Sequence, residues 1–215
     1  MAGVAPPGRL IGSGRTADVF DLGDGSVLRR YRLERDVASE SRAMSAAALA
    51  GIPVPRVLRA QGRDLVLEYL PGSTLLAQLL SGDRSVDEVA DILVELLRVL
   101  EATPAASVLP GAPEGSVLVH HDLHPDNVMV TERGPVLIDW DGARAGSEGE
   151  DVAHLIVLLA GVVSDPEADP ALVIVAEKLA HATLARCVAP RDELVASAAA
   201  ERGSIPGFRA SSALV

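Results

Sequence analysis

The chain has 215 residues, 48% of them hydrophobic, enough to bury a core in one globular unit or in two closely packed lobes. Its net charge of -11 argues against a nucleic-acid partner, because phosphate contacts need a basic face. A single cysteine, Cys187, excludes an internal disulfide; no apolar run approaches the roughly 18 residues of a membrane span, and Met1 to Pro7 lacks the pattern of a secretory signal, so the expected location is cytoplasmic.

Leu10-Ile11 leads into Gly12-Ser13-Gly14-Arg15-Thr16, after which Ala17 to Leu22 and Ser26 to Tyr31 read as strands joined at Gly23-Asp24-Gly25. Asp36 to Ala50 is alanine-rich and favours a helix ending at Gly51, and Pro53 and Pro55 then enforce an extended segment. Val57 to Ala60 and Asp64 to Tyr69 pair around Gln61-Gly62-Arg63. Residues 1–70 thus read as strands with one inserted helix, and they hold 10 arginines against 8 carboxylates, net +2.

Pro71-Gly72 marks a change of regime. Val86, Val89, Leu93, Leu96, Leu97 and Leu100 recur at helical spacing, and Ala102 to Gly115 reads as a loop. Val117 to Val119, Val128 to Val130 and Val136 to Ile138 are short apolar strands, the last two joined by a turn at Gly134-Pro135. Helices are expected at Val152 to Val163, Ala171 to Val188 and Asp192 to Ala200, with a loose tail from Gly203. Cys187 sits among apolar neighbours and reads as a packing residue, as do His154 and His181 unless they lie at the surface. Residues 71–215 carry 9 basic and 22 acidic side chains, net -13, either as solvated helix faces or as an attraction for a cationic ligand.

Between the apolar runs lies His120-His121-Asp122-Leu123-His124-Pro125-Asp126-Asn127, followed by Leu137-Ile138-Asp139-Trp140-Asp141. His120, Asp122 and Asn127 meet H-x-D-x-x-x-x-N, a pattern in which the aspartate takes the proton of an attacking hydroxyl and the asparagine holds a metal. Asp139 stands where a metal carboxylate would join the Asn127 amide, with Asp141 a secondary candidate; Trp140 reads as packing. The same cluster of His120, His121, His124, Asp122 and Asp126 also permits a zinc- or manganese-dependent hydrolase.

This variant of the kinase pattern resembles the aminoglycoside phosphotransferase family, small-molecule kinases of the protein-kinase-like fold. The resemblance covers roughly residues 9–160. It implies a two-lobed α+β fold, with an antiparallel sheet and one helix in residues 1–70 and a mainly helical lobe in residues 71–215, and a cleft between them. It further implies transfer of the terminal phosphoryl of magnesium-bound ATP to a hydroxyl of a small molecule, such as an aminoglycoside or another cationic amino alcohol or sugar. In that scheme Asp122 is the base, and Asn127 and Asp139 are the magnesium ligands. Gly12, Ser13, Gly14, Arg15 and Thr16 cover the phosphates, although Ala17 replaces the third glycine of the kinase loop.

The only lysine is Lys178, so the kinase lysine is missing; Arg29 takes its place, or Arg30 if the register shifts, with Glu40 as its helix partner and Glu34 second. Glu68 and Leu70, within Leu67 to Gly72, correspond to the hinge that presents backbone groups to adenine. His120 would support the loop and His124 would orient Asp122 or the phosphate. Asp151 reads as a helix N-cap, while the resemblance allows it to brace the catalytic loop. A nucleotide-binding relative without transfer activity is the alternative, and the sequence does not set the oligomeric state.

Overall fold

The computed structural model describes residues 8–203, so the readings made at Met1 to Pro7 and along the tail beyond Gly203 lie outside the described residues. Its contacts divide the chain into two compact units at Pro71/Gly72.

The first unit is an antiparallel sheet of five strands in the order β1-β2-β3-β5-β4, formed by β1 (Arg9–Ser13), β2 (Ala17–Asp21), β3 (Ser26–Tyr31), β4 (Val57–Gln61) and β5 (Asp64–Glu68). Helix α1 (Ala38–Leu49) packs beside β4. β1 is an exposed edge strand, whereas β3 is central and buries Ser26, Leu28 and Tyr31. Tyr31, Val37, Met44, Ala47, Ile52 and Leu65 are buried and supply much of the unit's core. All five strands and the helix fall within a residue or two of the sequence expectation, and Gly23 and Gly25 between β2 and β3, Gly51 after α1 and Gly62 between β4 and β5 take the positive φ that these turns need.

The second unit begins with two elements that the sequence reading passed over. β6 (Ser73–Thr74) pairs with β8 (Val128–Thr131), which pairs in turn with β9 (Gly134–Leu137). Helix α2 (Leu75–Ser81) follows, with Thr74 as N-cap and Gly82 as left-handed C-cap. Helix α3 (Val86–Glu101) starts in a capping box of Ser85 and Glu88 and buries Val89, Leu93, Leu97 and Leu100, as the apolar spacing predicts. The expected loop after it contains a 3-10 turn at Ala105–Ser107.

β7 (Val117–Val119) does not join β8 and β9; it pairs with β10 (Arg144–Gly146). The turn between β8 and β9 also differs from expectation: Gly134-Pro135 lies inside β9, opposite Thr131 and Val130, and Glu132-Arg133 makes the turn. Proline tolerates that place because its missing N-H can face away from the ladder. Helices α4 (Glu150–Ser164), α5 (Pro170–Leu184) and α6 (Asp192–Gly203) complete the unit, with α4 packed against both α5 and α6. α4 is buried along most of its length, which explains why its sequence is almost uniformly apolar. Among the described residues no helix is long and apolar enough to cross a membrane.

Candidate active site

In the first unit, strand alternation decides between Arg29 and Arg30. Successive side chains of β3 point to opposite faces. Arg29 shares a face with Tyr31 and reaches Glu40 on α1, its Nη1 3.3 Å from Glu40 Oε1, while Tyr31 donates its hydroxyl to Glu40 Oε2 at 2.7 Å. Arg30 turns the other way and forms a two-pronged pair with Asp64, at 2.8 and 2.6 Å. Glu34 lies 3.6 Å from Arg63. The Arg29 and Glu40 side chains are only 11% and 2% exposed, so this ion pair is held by its surroundings rather than by chance at a surface.

The glycine-rich turn is braced from outside. Gly14 N-H closes onto Ala17 O, and Arg32 donates to Arg15 O, Ser13 Oγ and Asp18, the last at 2.6 Å. Arg15 and Thr16 are exposed. A methyl group added at Gly12 or Gly14 would meet only ordinary contacts, 3.7 Å to Val19 and 3.5 Å to Ala17 O, so packing of the hairpin does not itself require glycine there. Arg32 was not singled out from sequence; nothing distinguishes it from its arginine neighbours. Glu68 ends β5, with its N-H on Arg56 O and its carboxylate accepting from Arg56 N-H; Tyr69 N-H donates to Gly25 O, and Leu70 is half-buried.

In the second unit, β7 delivers the chain to His120 and the loop is then gripped by α4. Asp151 accepts both His120 N-H, at 2.8 Å, and His121 N-H, at 2.7 Å. It is therefore a brace and not the N-cap; the cap is Gly149, and Asp151 lies in the first turn with its carboxylate aimed at the loop. His121, whose N-H the brace engages, stands at φ 72°, a left-handed conformation uncommon for residues with a β-carbon but adopted more readily by Asn, Asp and His. Burial pushes the Asp151 carboxyl up to about 7 against the lowering effect of its two N-H donors.

His120 is fully buried, packs edge-on against Trp140, and its Nε2 lies 3.1 Å from Ile138 O. Burial lowers its pKa to about 4, so it is a neutral strut tying the loop to the segment before Asp139. Trp140 is buried as expected, with Nε1 donating to Leu137 O. A 3-10 turn at Pro125–Asn127 then brings Asn127 back over the loop. Asn127 Nδ2 lies 2.9 Å from Asp122 O, 3.3 Å from Asp122 Oδ2 and 3.1 Å from His124 Nε2. With the amide nitrogen so engaged, Asn127 Oδ1 is the atom left to ligate a hard cation. Ile138 N-H donates to Asn127 O, which sets Asp139 one residue beyond Asn127's partner, in a left-handed conformation (φ 64°). Asp139 and Asp122 both act electrostatically on His120. Asp141 follows in a 3-10 turn at Trp140–Gly142, half-buried. Thr74 Oγ1, the cap of α2, donates to Asp126 Oδ1 at 2.8 Å and ties this turn to the start of the unit.

Asp122 has a partner that no motif announced. Arg202, near the end of α6 and 8% exposed, places Nη2 2.9 Å from Asp122 Oδ1. Burial raises the Asp122 carboxyl, but His124, 3.6 Å away, and Arg202 outweigh it and hold its pKa below the usual carboxylate range. The loop's histidines do not converge on one metal. His120 is spent on Ile138, His124 faces Asn127 and Asp122, and His121 turns towards His154 and Glu201. That separation removes the constellation on which a hydrolase at His120, His121, His124, Asp122 and Asp126 would depend. His154 is buried, as expected of a packed residue, but it meets a second histidine that the linear sequence does not place near it; His181 is exposed. Cys187 is partly buried, and burial raises its thiol, in keeping with packing.

A probable serine/threonine-protein kinase of Streptomyces coelicolor is 31% identical over 160 residues, 64% of this chain; the chain spans only 22% of that relative's length. The crystal structure of aminoglycoside phosphotransferase APH(4)-Ia superposes with a TM-score of 0.59 at 18% identity, covering 88% of this chain and 79% of the other. That of an aminoglycoside-3'-phosphotransferase of type VIII gives 0.56 at 21%, covering 92% and 90%. A thermostable mutant of APH(4)-Ia was solved in ternary complex with AMP-PNP and hygromycin B. These likenesses establish the kinase-like α+β fold. The sequence model of the phosphotransferase enzyme family matches residues 7–115 and 105–187, most of the chain, and the protein is a member of that family.

Proposed function

We propose that the chain transfers the terminal phosphoryl group of magnesium-bound ATP to a hydroxyl of a small molecule. The observation that carries this reading is the arrangement at Asp122: a half-exposed carboxylate whose orientation is fixed by Asn127, on a loop locked from behind by Asp151. Phosphoryl transfer passes through a loose transition state, so a protein contributes mainly position and charge. Asp122, ionised at neutral pH, orients the acceptor hydroxyl and takes its proton as the bond to phosphorus forms. Asn127 Oδ1 and the Asp139 carboxylate are oxygen donors of the kind magnesium prefers, with Asp141 in reserve, and the ion when bound supplies neutralisation of phosphate charge.

In the first unit, Arg29 is the phosphate contact, positioned by Glu40, and Gly12 to Thr16 form the phosphate cover. The absence of any packing need for Gly12 and Gly14 supports that role, since close approach of a ligand remains as their reason. Glu68 and Leu70 offer backbone groups to adenine. The acceptor is a cationic amino sugar or amino alcohol, in line with the net charge of -13 over residues 71–215 and with the hygromycin B bound by a structural relative.

The Arg202 pair with Asp122 favours a second reading, a nucleotide-binding protein in which the base is neutralised and transfer is lost. Transfer of labelled phosphate from ATP to a panel of amino sugars, amino alcohols, macrolides and sugars separates the two, with Asp122→Asn as control. A product absent from the control supports transfer; bound ATP with no product from any acceptor supports the second reading.

A further inference from the structure

We propose that His121, His154 and Glu201 form a site for one divalent transition-metal ion of zinc's class, distinct from the magnesium site of the phosphotransferase reading. The three come from separate elements: the catalytic loop, α4 and α6. Each offers a ligand atom, and these atoms lie within 4.8 Å of one another, the one such group of metal-binding residue types among the described residues. Two imidazoles and a carboxylate, with solvent in the fourth position, are a donor set that suits zinc and not magnesium.

Three features of the chain point the donors inward. The Asp151 brace holds His121 in its left-handed conformation, which turns the ring onto His154, with centroids 4.2 Å apart. His154 is 2% exposed, yet its Nδ1 has no hydrogen-bond partner among the described residues and its Nε2 stops 4.0 Å from Glu201 Oε2. A buried imidazole so poorly used is costly unless something else engages it. Glu201 Oε2 lies 2.7 Å from His121 Nε2. Ligand atoms sharing a tetrahedral zinc sit about 3.3 Å apart, so of the two separations from Glu201 the 4.0 Å one closes and the 2.7 Å one opens by less than an ångström, and the imidazoles, within 4.8 Å of each other at their ligand atoms, turn towards the ion.

The charges around the site permit this. Arg144 touches Glu201 at 3.4 Å but holds Glu150 more closely, at 2.6 Å, and can remain there when Glu201 turns to an ion. Arg202, the next residue, is directed to Asp122. His121 and Glu201, with side chains 29% and 41% exposed, leave an entry path, while His154 forms the floor. The ion would clamp α6 to the catalytic loop one residue from the arginine that contacts Asp122. That consequence rests on the phosphotransferase reading; the site itself does not.

The test uses the full chain, stripped with a chelator and dialysed, without nucleotide or magnesium. Zinc is titrated by calorimetry and cobalt by visible absorption, in the wild type and in Glu201→Gln, His154→Gln, His124→Gln and His181→Gln. One zinc per chain, a tetrahedral cobalt band, and binding weakened about tenfold or more in Glu201→Gln and His154→Gln but not in the other two would support the site. Glu201 is exposed enough that its substitution leaves the fold intact, checked by circular dichroism, so a misfolded His154 variant does not decide the result. No zinc uptake by the wild type, or equal uptake by Glu201→Gln, overturns the proposal while leaving phosphoryl transfer to be judged by its own assay.

Discussion

Arg202 Nη2 and Asp122 Oδ1 lie 2.9 Å apart although 80 residues separate them, so the last turn of α6 joins His124 in favouring the charged form of the loop's central carboxylate. The sign of the effect follows from the competing influences. Burial raises the Asp122 pKa, and His124 and Arg202 more than offset it. Removing Arg202 takes away one lowering influence and leaves burial in place. In Arg202→Ala the acid limb of the kcat/KM profile is expected to move to higher pH, as for a carboxylate losing an adjacent arginine. Arg202→Lys should restore most of the position. An unchanged acid limb in a folded Arg202→Ala enzyme would mean that Asp122 is not the titrating group.

The buried pair in the first unit predicts a different outcome. Glu40 accepts from both Arg29 and Tyr31, and Arg29 also stacks 4.9 Å from the Tyr31 ring. Glu40→Gln removes a buried carboxylate from beside a largely buried guanidinium, and breaking such a pair costs about 3 kcal/mol. Tyr31→Phe removes one neutral donor and is expected to cost about 1 kcal/mol. Arg29→Ala should lower the melting midpoint as well, because it removes a cation from beside the buried Glu40 carboxylate, and in protein shown to be folded it should weaken ATP binding, read by calorimetry. Equal affinity in Arg29→Ala and wild type would show that the phosphates are held elsewhere.

The Asp151 brace can be tested by an isosteric change. In Asp151→Asn only one side-chain oxygen remains to accept, so one of the two loop N-H groups, on His120 or His121, is left unpaired in a buried place. The expected loss is about 1–3 kcal/mol in chemical denaturation. His121 should then relax from its left-handed conformation, with kcat falling more than nucleotide affinity. A fall in nucleotide affinity with unchanged kcat would contradict the assignment of Asp151 to the loop that carries Asp122.

What the sequence made legible follows the range of the interactions involved. The five strands of the first unit and the long amphipathic helix were readable because each is set by its own periodicity and ended by glycine, proline or a capping residue. Asp122, Asn127 and Asp139, the proposed base and metal ligands, could be proposed from sequence because they lie within 18 residues on one loop and hairpin. α2 was missed although Thr74 and Gly82 bracket it, since its seven residues are too few to show a period. Arg202 and Glu201 were not legible at all: they sit in an alanine-rich helix without a motif, and only the packing of α6 on α4 brings them to the loop. Asp151 was half readable. Its place before an apolar helix suggested a cap, and only the course of β7 beneath it shows what its carboxylate accepts.

Gly72 offers a test of the second unit's entry strand that does not depend on activity. Its φ of 142° is one that residues with a β-carbon rarely adopt, and a methyl group there would lie 2.0 Å from Val130 O, on the backbone of β8. Neither β6 nor β8 can yield easily, because Ser73 and Thr74 pair with Val130 and Met129 and Thr74 is bonded to Asp126. Gly72→Ala is therefore expected to cost roughly 3 kcal/mol or more, from a special backbone conformation together with a clash against main chain. Gly62→Ala is the control: its φ is also positive, at 56°, but nothing lies within 4 Å of the added carbon, so only the conformational cost of about 1 kcal/mol remains. Denaturation midpoints of the two variants should differ accordingly. If Gly72→Ala is no worse than Gly62→Ala, the β6–β8 pairing does not hold the chain against Asp126, and the anchoring of the catalytic turn through Thr74 has to be abandoned.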